Sequence, residues 1–423
     1  MLDETAYLSL DGENIVCRTD ESEKFRIPFS NVEDIYCFSY RGCSPALMGK
    51  CVEYKIPLNF ISPQGEFLAR VEGEVKGNVY LRKAQFDMFA DPPALLMQNT
   101  VAAKLANTRY VIKRSLRDNP QIDDDGAVSR CIAYLESSID SAYETDDRDA
   151  LMGIEGSAAK AYFDIFDRLI LRQKEDFVMT SRTKRPPLDR VNAMLSYLYT
   201  IATCTCASAL AAVGLDSYAG FYHALRPGRN SLACDMVEEI RCIIERLVLT
   251  MINLKMVNAD DFEVQPGGAV YLSKDGKRKV ITQWQEKKRT VIVHTYLKEK
   301  IPVGLIPYAQ STLLAKYIRG EIDEAVIMMT LVCYDVCTED RGGKTRLRKV
   351  AKECRNYGQR VQNSVFEIDV DYGTFLKVKD KLLKIIDENK DSLRIYYLGN
   401  NWERHIEHFG IKETYNPEGV LIV

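Results

Sequence analysis

The run Val191-Asn192-Ala193-Met194-Leu195-Ser196-Tyr197-Leu198-Tyr199-Thr200-Ile201-Ala202-Thr203-Cys204-Thr205-Cys206-Ala207-Ser208-Ala209-Leu210-Ala211-Ala212-Val213-Gly214-Leu215 carries no charged side chain. An uncharged helix of that length is long enough to cross a bilayer. Its composition argues otherwise. Asn192, Ser196, Thr200, Thr203, Thr205 and Ser208 recur through it, and its apolar members are largely Ala and Cys. A helix that is small and hydroxyl-rich on every side is expected at the centre of a helical domain, wrapped in protein rather than lipid. The chain is therefore read as soluble, with no membrane partner.

On both sides of that helix the 3.6-residue period continues. Segments 78–90, 93–116, 127–144, 150–175, 188–213 and 230–256 are predicted helices, broken at Pro92-Pro93, Asn119-Pro120 and Pro186-Pro187. Inside this domain, Gly268-Ala269-Val270-Tyr271-Leu272, Asp275-Gly276 and Lys279-Val280-Ile281 read as a β-hairpin with an Asp-Gly turn. Pro302-Val303-Gly304 opens a last helix that runs through Leu313, Leu314 and Tyr317 to Gly320. Residues 1–77 differ: Tyr7 to Leu10, Asn14 to Cys17, Phe25 to Pro28 and Val52 to Ile61 are short β-type runs separated by turn residues, and the Gly-spaced stretch 73–78 ends them. Near 328 the pattern restarts. Thr330-Leu331-Val332-Cys333-Tyr334-Asp335-Val336 is an apolar strand with an acid towards its end. A helix with Leu347, Val350, Ala351 and Cys354 on one face follows it. The run 359–370 holds one bent strand or two, and a second helix and the strand Leu393 to Leu398 complete the order βαββαβ. The fold class is α+β multidomain: a small N-terminal β-domain (1–77), a large α-helical domain (78–327) and a C-terminal ferredoxin-like domain (328–423).

Bulk composition narrows the function only a little. A net charge of −3 over 423 residues does not announce nucleic acid, so any DNA contact must come from local patches. The 12 Cys form no CxxC pair and there are only four His, which disfavours a zinc ribbon and fits buried thiols in a reducing cytoplasm. Met1 to Leu10, with Asp3 and Glu4, has no basic, apolar signal pattern.

Chemistry gathers in three places. Glu155 stands between glycines in Gly153-Ile154-Glu155-Gly156-Ser157-Ala158-Ala159; His223 lies in a loop, Tyr222-His223-Ala224-Leu225-Arg226-Pro227-Gly228; Asp235 and Glu238 are three apart on the helix after Asn230. Carboxylates with an imidazole suit Mg²⁺ or Mn²⁺, yet on spacing alone a solvated acidic face is the default reading. Basic runs surround them: Arg182-Thr183-Lys184-Arg185 before the central helix, Lys277-Arg278-Lys279 on the expected hairpin, and Lys287-Lys288-Arg289 after it. From Arg341 to Arg360 eight basic residues face the single acid Glu353, so the charge of the last module is concentrated on its first helix, Arg346, Lys349 and Lys352 included.

These motifs resemble a known family. The stretch 153–159, Arg182 to Tyr197, and His223 with Ser231-Leu232-Ala233-Cys234-Asp235-Met236-Val237-Glu238-Glu239-Ile240-Arg241 are similar to the CRISPR adaptation integrase, Cas-one, over about 1–326. The resemblance implies that Glu155, His223 and Glu238 bind a divalent metal, that Asp235 assists, and that the 3′-hydroxyl of a short DNA fragment attacks the edge of a CRISPR repeat. It also implies cleavage of branched DNA and dimerisation through the β-domain. Val332 to Val336, Gln359 to Glu367 and Leu398-Gly399-Asn400-Asn401-Trp402 resemble the companion family, Cas-two, in which Asp335 is the expected metal ligand. Both halves look closest to the type I-C subgroup, which also employs a separate Cas-four nuclease. Double-stranded DNA, both fragment and leader-repeat, and a homodimer or higher oligomer are the expected partners. Arg182, Lys184, Arg185, Arg346, Lys349 and Lys352 are the expected DNA contacts. A stand-alone structure-specific nuclease and a non-catalytic DNA-measuring scaffold are the competing readings.

Overall fold

The computed structural model describes residues 5–20, 22–73, 79–294, 296, 297, 299–322, 328–335, 343–362, 365–370, 372–387 and 390–397. They divide into two compact units, 1–319 and 320–423.

The first unit begins with β1 (Tyr7–Asp11), β2 (Asn14–Arg18) and β3 (Glu23–Pro28), an antiparallel sheet. A second sheet joins β4 (Ile35–Cys37), β5 (Leu58–Ile61) and β6 (Phe67–Val71), with α1 (Pro45–Glu53) crossing between the parallel pair β4 and β5. The β-type run expected from Val52 is thus shorter. Ser44 accepts the Leu47 N–H as an N-cap, Pro45 opens the helix, and Val52 and Glu53 close it. Leu8, Ile15, Cys17, Phe29, Leu47 and Leu58 form a small core here, whereas Phe38 and Ile61 pack into the main core of the helices.

That main core is built on α2 (Val79–Ala90), α3 (Ala94–Asp118), α4 (Ala127–Tyr143), α5 (Arg148–Phe166) and α6 (Arg190–Val213). α6 is the expected central helix: Val191, Met194, Leu195, Leu198, Ala202, Ala207 and Leu210 are buried, and Gly214 ends it in the left-handed region, φ 89°. By length and composition it is the one described helix able to cross a membrane, but half of its apolar window is buried inside the unit. The expected helix 230–256 is two, α7 (Ser231–Val237) and α8 (Arg241–Asn253), separated by a tight turn at 238–240.

The Asp-Gly hairpin is not formed. β7 (Phe262–Val264) and β8 (Val270–Leu272) pair, but Asp275-Gly276 lies in the first turn of α9 (Lys274–Arg289). Ser273 caps that helix through the Gly276 N–H, and Gly276, Val280, Trp284 and Lys288 make a buried stripe four residues apart. A Cβ on Gly276 would stand 2.1 Å from the Asp261 carbonyl, so the glycine serves close packing rather than a turn. Lys277, Arg278 and Lys279 therefore sit on a helix. β9 (Val291–Val293), β10 (Lys300–Pro302) and α10 (Ile306–Ile318) finish the unit.

The second unit runs β11 (Met328–Asp335), α11 (Gly343–Tyr357), β12 (Gly358–Gln362), β13 (Val365–Val370), α12 (Tyr372–Ile385) and β14 (Ser392–Tyr397). Its antiparallel sheet has the order β12-β13-β11-β14, the ferredoxin-like arrangement, with 359–370 resolved into two strands. Val350, Ala351 and Cys354 of α11 pack with Phe366, Ile368, Val378 and Leu382. The expected features at 74–78, Val336, Arg341 and 398–402 lie outside the described residues.

Candidate active site

Four elements of the first unit bring Glu155, His223, Asp235 and Glu238 together. Asp235 sits on α7 with its side chain fully buried. Its Oδ2 accepts the Phe221 and Tyr222 N–H groups at 2.9 and 3.1 Å, and its Oδ1 accepts the His223 N–H at 2.9 Å. The same Oδ1 lies 2.6 Å from His223 Nδ1. Both oxygens are already acceptors, so Nδ1 carries the proton and Nε2 keeps its lone pair. Nε2 faces Glu238 Oε1 at 3.8 Å. Gly220 makes room for this: a Cβ there would stand 2.8 Å from Asp235 Oδ2.

Glu238 closes α7 in the turn before α8, its side chain 2% exposed. Arg241 Nη2 meets Oε1 at 2.9 Å, and Lys104 Nζ meets Oε2 at 2.6 Å. Burial opposes ionisation, but Arg241 and Lys104 outweigh it and hold this carboxyl at about 2. Glu155, from the middle of α5, reaches the same Lys104 ammonium. Two guanidiniums approach the Tyr199 ring, Arg241 at 5.0 Å and Arg182 at 5.5 Å from its centre. Its hydroxyl donates to Glu245 at 2.6 Å, whose carboxyl burial pushes up.

Among the described residues no three His, Cys, Asp or Glu side chains stand close enough to grip a metal as placed. Between the two carboxylates stands Lys104, whose ammonium bridges Glu155 and Glu238. The donor set nevertheless fits a hard divalent ion, with two carboxylates that already share one cation and an imidazole whose free nitrogen faces Glu238. The sequence reading missed Lys104 and Arg241. The signal for Lys104 was its position: a lysine where the α3 pattern Met97, Val101, Leu105, Thr108 calls for a core residue.

The expected DNA contacts divide. Arg182 points inward, donating to Asn192 Oδ1 at 2.7 Å, Ser196 Oγ at 3.2 Å and the Thr183 carbonyl. Lys184 and Arg185 are exposed; desolvation first, then Arg241, Arg182 and Lys104, depress the Lys184 ammonium. Both line a cleft of about 1240 Å³ floored by α6, with Arg70, Arg226, Arg229 and Lys277 also on its walls. In the second unit Lys349 and Lys352 are exposed on α11, whereas Arg346 is committed to the buried Asp391 at 2.7 Å. Asp335 ends β11 opposite Ser392.

Residues 1–286 match the family described as CRISPR associated protein Cas1, and residues 328–406 that described as CRISPR associated protein Cas2. CRISPR-associated endonuclease Cas1 1 of Chlorobaculum tepidum is 42% identical over 321 residues, 75% of this chain and 94% of the relative. The CRISPR-associated endoribonuclease Cas2 of Nitratidesulfovibrio vulgaris is 54% identical over 96 residues, 23% of this chain and 94% of the relative. A solved casposase bound to integration product shares the fold, with a TM-score of 0.66 at 19% identity over 76% of this chain and 90% of that one. Fold and matches together define a CRISPR-associated protein whose helical unit is related to named endonucleases, joined to a small ferredoxin-like module. The chain belongs to the CRISPR associated protein Cas1 family, and its second unit belongs to the CRISPR associated protein Cas2 family.

Proposed function

We propose that this chain performs CRISPR spacer integration, joining the 3′-hydroxyl ends of short DNA fragments to the leader-repeat of a CRISPR array. Membership of both families in one polypeptide supports this reading, as does the capture of a fold neighbour with an integration product. The observation that carries it is the buried arrangement in which Asp235 fixes His223, and His223 Nε2 faces Glu238, with Glu155 across one shared cation.

Glu155, His223 and Glu238 would hold Mg²⁺ or Mn²⁺. Such an ion polarises a phosphodiester and stabilises the oxygen that leaves in an in-line displacement. The chain's own residues prepare that chemistry. Asp235 holds the imidazole in the tautomer that keeps Nε2 a donor to the ion. Arg241 and Lys104 keep Glu238 ionised at neutral pH. The cationic cleft beside α6 receives a DNA strand by its phosphates, which fixes position without reading sequence.

The second unit acts as a ruler. The exposed cations of α11 support the middle of a duplex, and Asp335 is dispensable for joining. Two copies associate through the β-rich segment, whose edge strand β3 is exposed along its whole length. The setting is the cytoplasm of a type I-C-like system with a separate Cas-four nuclease. A gel assay with a 3′-hydroxyl fragment and a repeat-bearing plasmid tests the reading. An integrase yields a covalently joined strand, a nuclease only fragments, and a scaffold neither.

A further inference from the structure

α3 presents Met97, Val101, Leu105, Thr108 and Ile112 to the core, and Lys104 lies on that same face, 8% exposed. An ammonium removed from water needs acceptors that match its charge. It forms ion pairs with Glu155 of α5 and, at 2.6 Å, with Glu238 of the turn after α7. One side chain thus ties three parts of the site together. Glu238 divides its oxygens: Oε1 goes to Arg241 at 2.9 Å, and Oε2 goes to Lys104. Two carboxylates converging out of water repel each other unless a cation stands between them. Lys104 is that cation.

A divalent ion held by Glu155 and Glu238 needs the region the ammonium now fills, and two cations at contact distance exclude each other. Arg241 holds the other Glu238 oxygen, Oε1, which is the one that faces His223 Nε2 at 3.8 Å. We infer that Lys104 is a resident counter-ion that keeps Glu155 and Glu238 together before metal arrives, and that a divalent ion must displace it to bind. This rests on the reading of Glu155, His223 and Glu238 as metal ligands. It makes Lys104 a positioning residue whose loss tightens metal binding. A lysine with a purely structural role would leave that affinity unchanged or weaken it.

The test titrates Mn²⁺ into the full-length protein by calorimetry, with electron paramagnetic resonance counting free Mn²⁺. Lys104→Met is expected to tighten Mn²⁺ binding by about tenfold or more, because no unit charge competes for the carboxylates. Its metal-free melting temperature should fall, and Mn²⁺ should restore more of it than in wild type. Lys104→Arg, whose planar fork grips both carboxylates, is expected to weaken Mn²⁺ binding by about threefold or more. If the Met variant fails to fold, the Arg variant decides alone: weaker binding supports the inference, and unchanged or tighter binding overturns it. Glu238→Gln separates the two claims. Binding lost in Glu238→Gln but no tighter in Lys104→Met overturns the counter-ion role and spares the site. Wild-type binding in Glu238→Gln overturns the metal site and the inference with it.

Discussion

His223 Nδ1 and Asp235 Oδ1 stand 2.6 Å apart, and the same oxygen accepts the backbone N–H of His223. One buried carboxylate therefore sets both the main chain and the ring of the residue that carries the reactive nitrogen. The sequence motif presents Asp235 as an assisting acid; the structure makes it the part on which the 221–223 segment is hung.

Asp235 is therefore expected to give two different variants. Asp235→Asn keeps the volume but puts an amide donor where an acceptor is required, and strand transfer should fall by about 10- to 100-fold. Asp235→Ala leaves three backbone N–H groups without acceptors and should cost on the order of 3–5 kcal/mol of stability. Urea denaturation and a gel assay on both proteins check this.

Acid should act through Glu238. Its carboxyl is held down from 4.5 to about 2 because Arg241 and Lys104 outweigh burial. A group lowered in the folded state contributes stability above its unfolded value and loses it as pH falls through the folded one. Stability of wild type should thus decline from about pH 4.5 towards pH 2. The gap between wild type and Glu238→Gln should narrow over the same window, measured by denaturant melts at each pH.

Within the basic loop, Arg182 and Arg185 should part company. Arg182→Ala removes buried bonds to Asn192 and Ser196 and is expected to cost about 2–4 kcal/mol. Arg185→Ala should leave stability unchanged, weaken binding of every DNA sequence, and lower the salt slope by about one. Melting curves and salt titrations of DNA binding distinguish the two.

The α11 cations make a parallel case. Reversing Lys349 and Lys352 should impair capture of long duplex and spare short fragments. Arg346→Ala should instead destabilise the second unit by about 3 kcal/mol, since it takes the guanidinium away from the buried Asp391 carboxylate. Binding assays over a series of duplex lengths, with melts of each variant, check this.

Much of this was legible beforehand, and the misses have physical causes. α6 could be read because small and hydroxyl side chains without charge have one comfortable home, the middle of a helical core. Glu155, His223, Asp235 and Glu238 came from motifs, since each is separated by a dozen residues or more from at least one partner. The Asp275-Gly276 turn failed because a capping Ser273 and the close approach of Asp261 outcompeted a local hairpin signal. Arg182 was placed with the DNA because charge does not say which way a guanidinium points. Lys104 escaped because its ion-pair partners lie 51 and 134 positions further along the chain.

The central claim, that Glu155, His223 and Glu238 drive strand joining, is tested most directly by strand transfer with Mn²⁺ in wild type and in each alanine variant. DNA binding and melting temperature are measured on the same samples. The account expects joined product from wild type and a loss on the order of a hundredfold or more in Glu155→Ala, His223→Ala and Glu238→Ala, with DNA still bound and the fold intact. Full joining by a folded Glu238→Ala protein would contradict it.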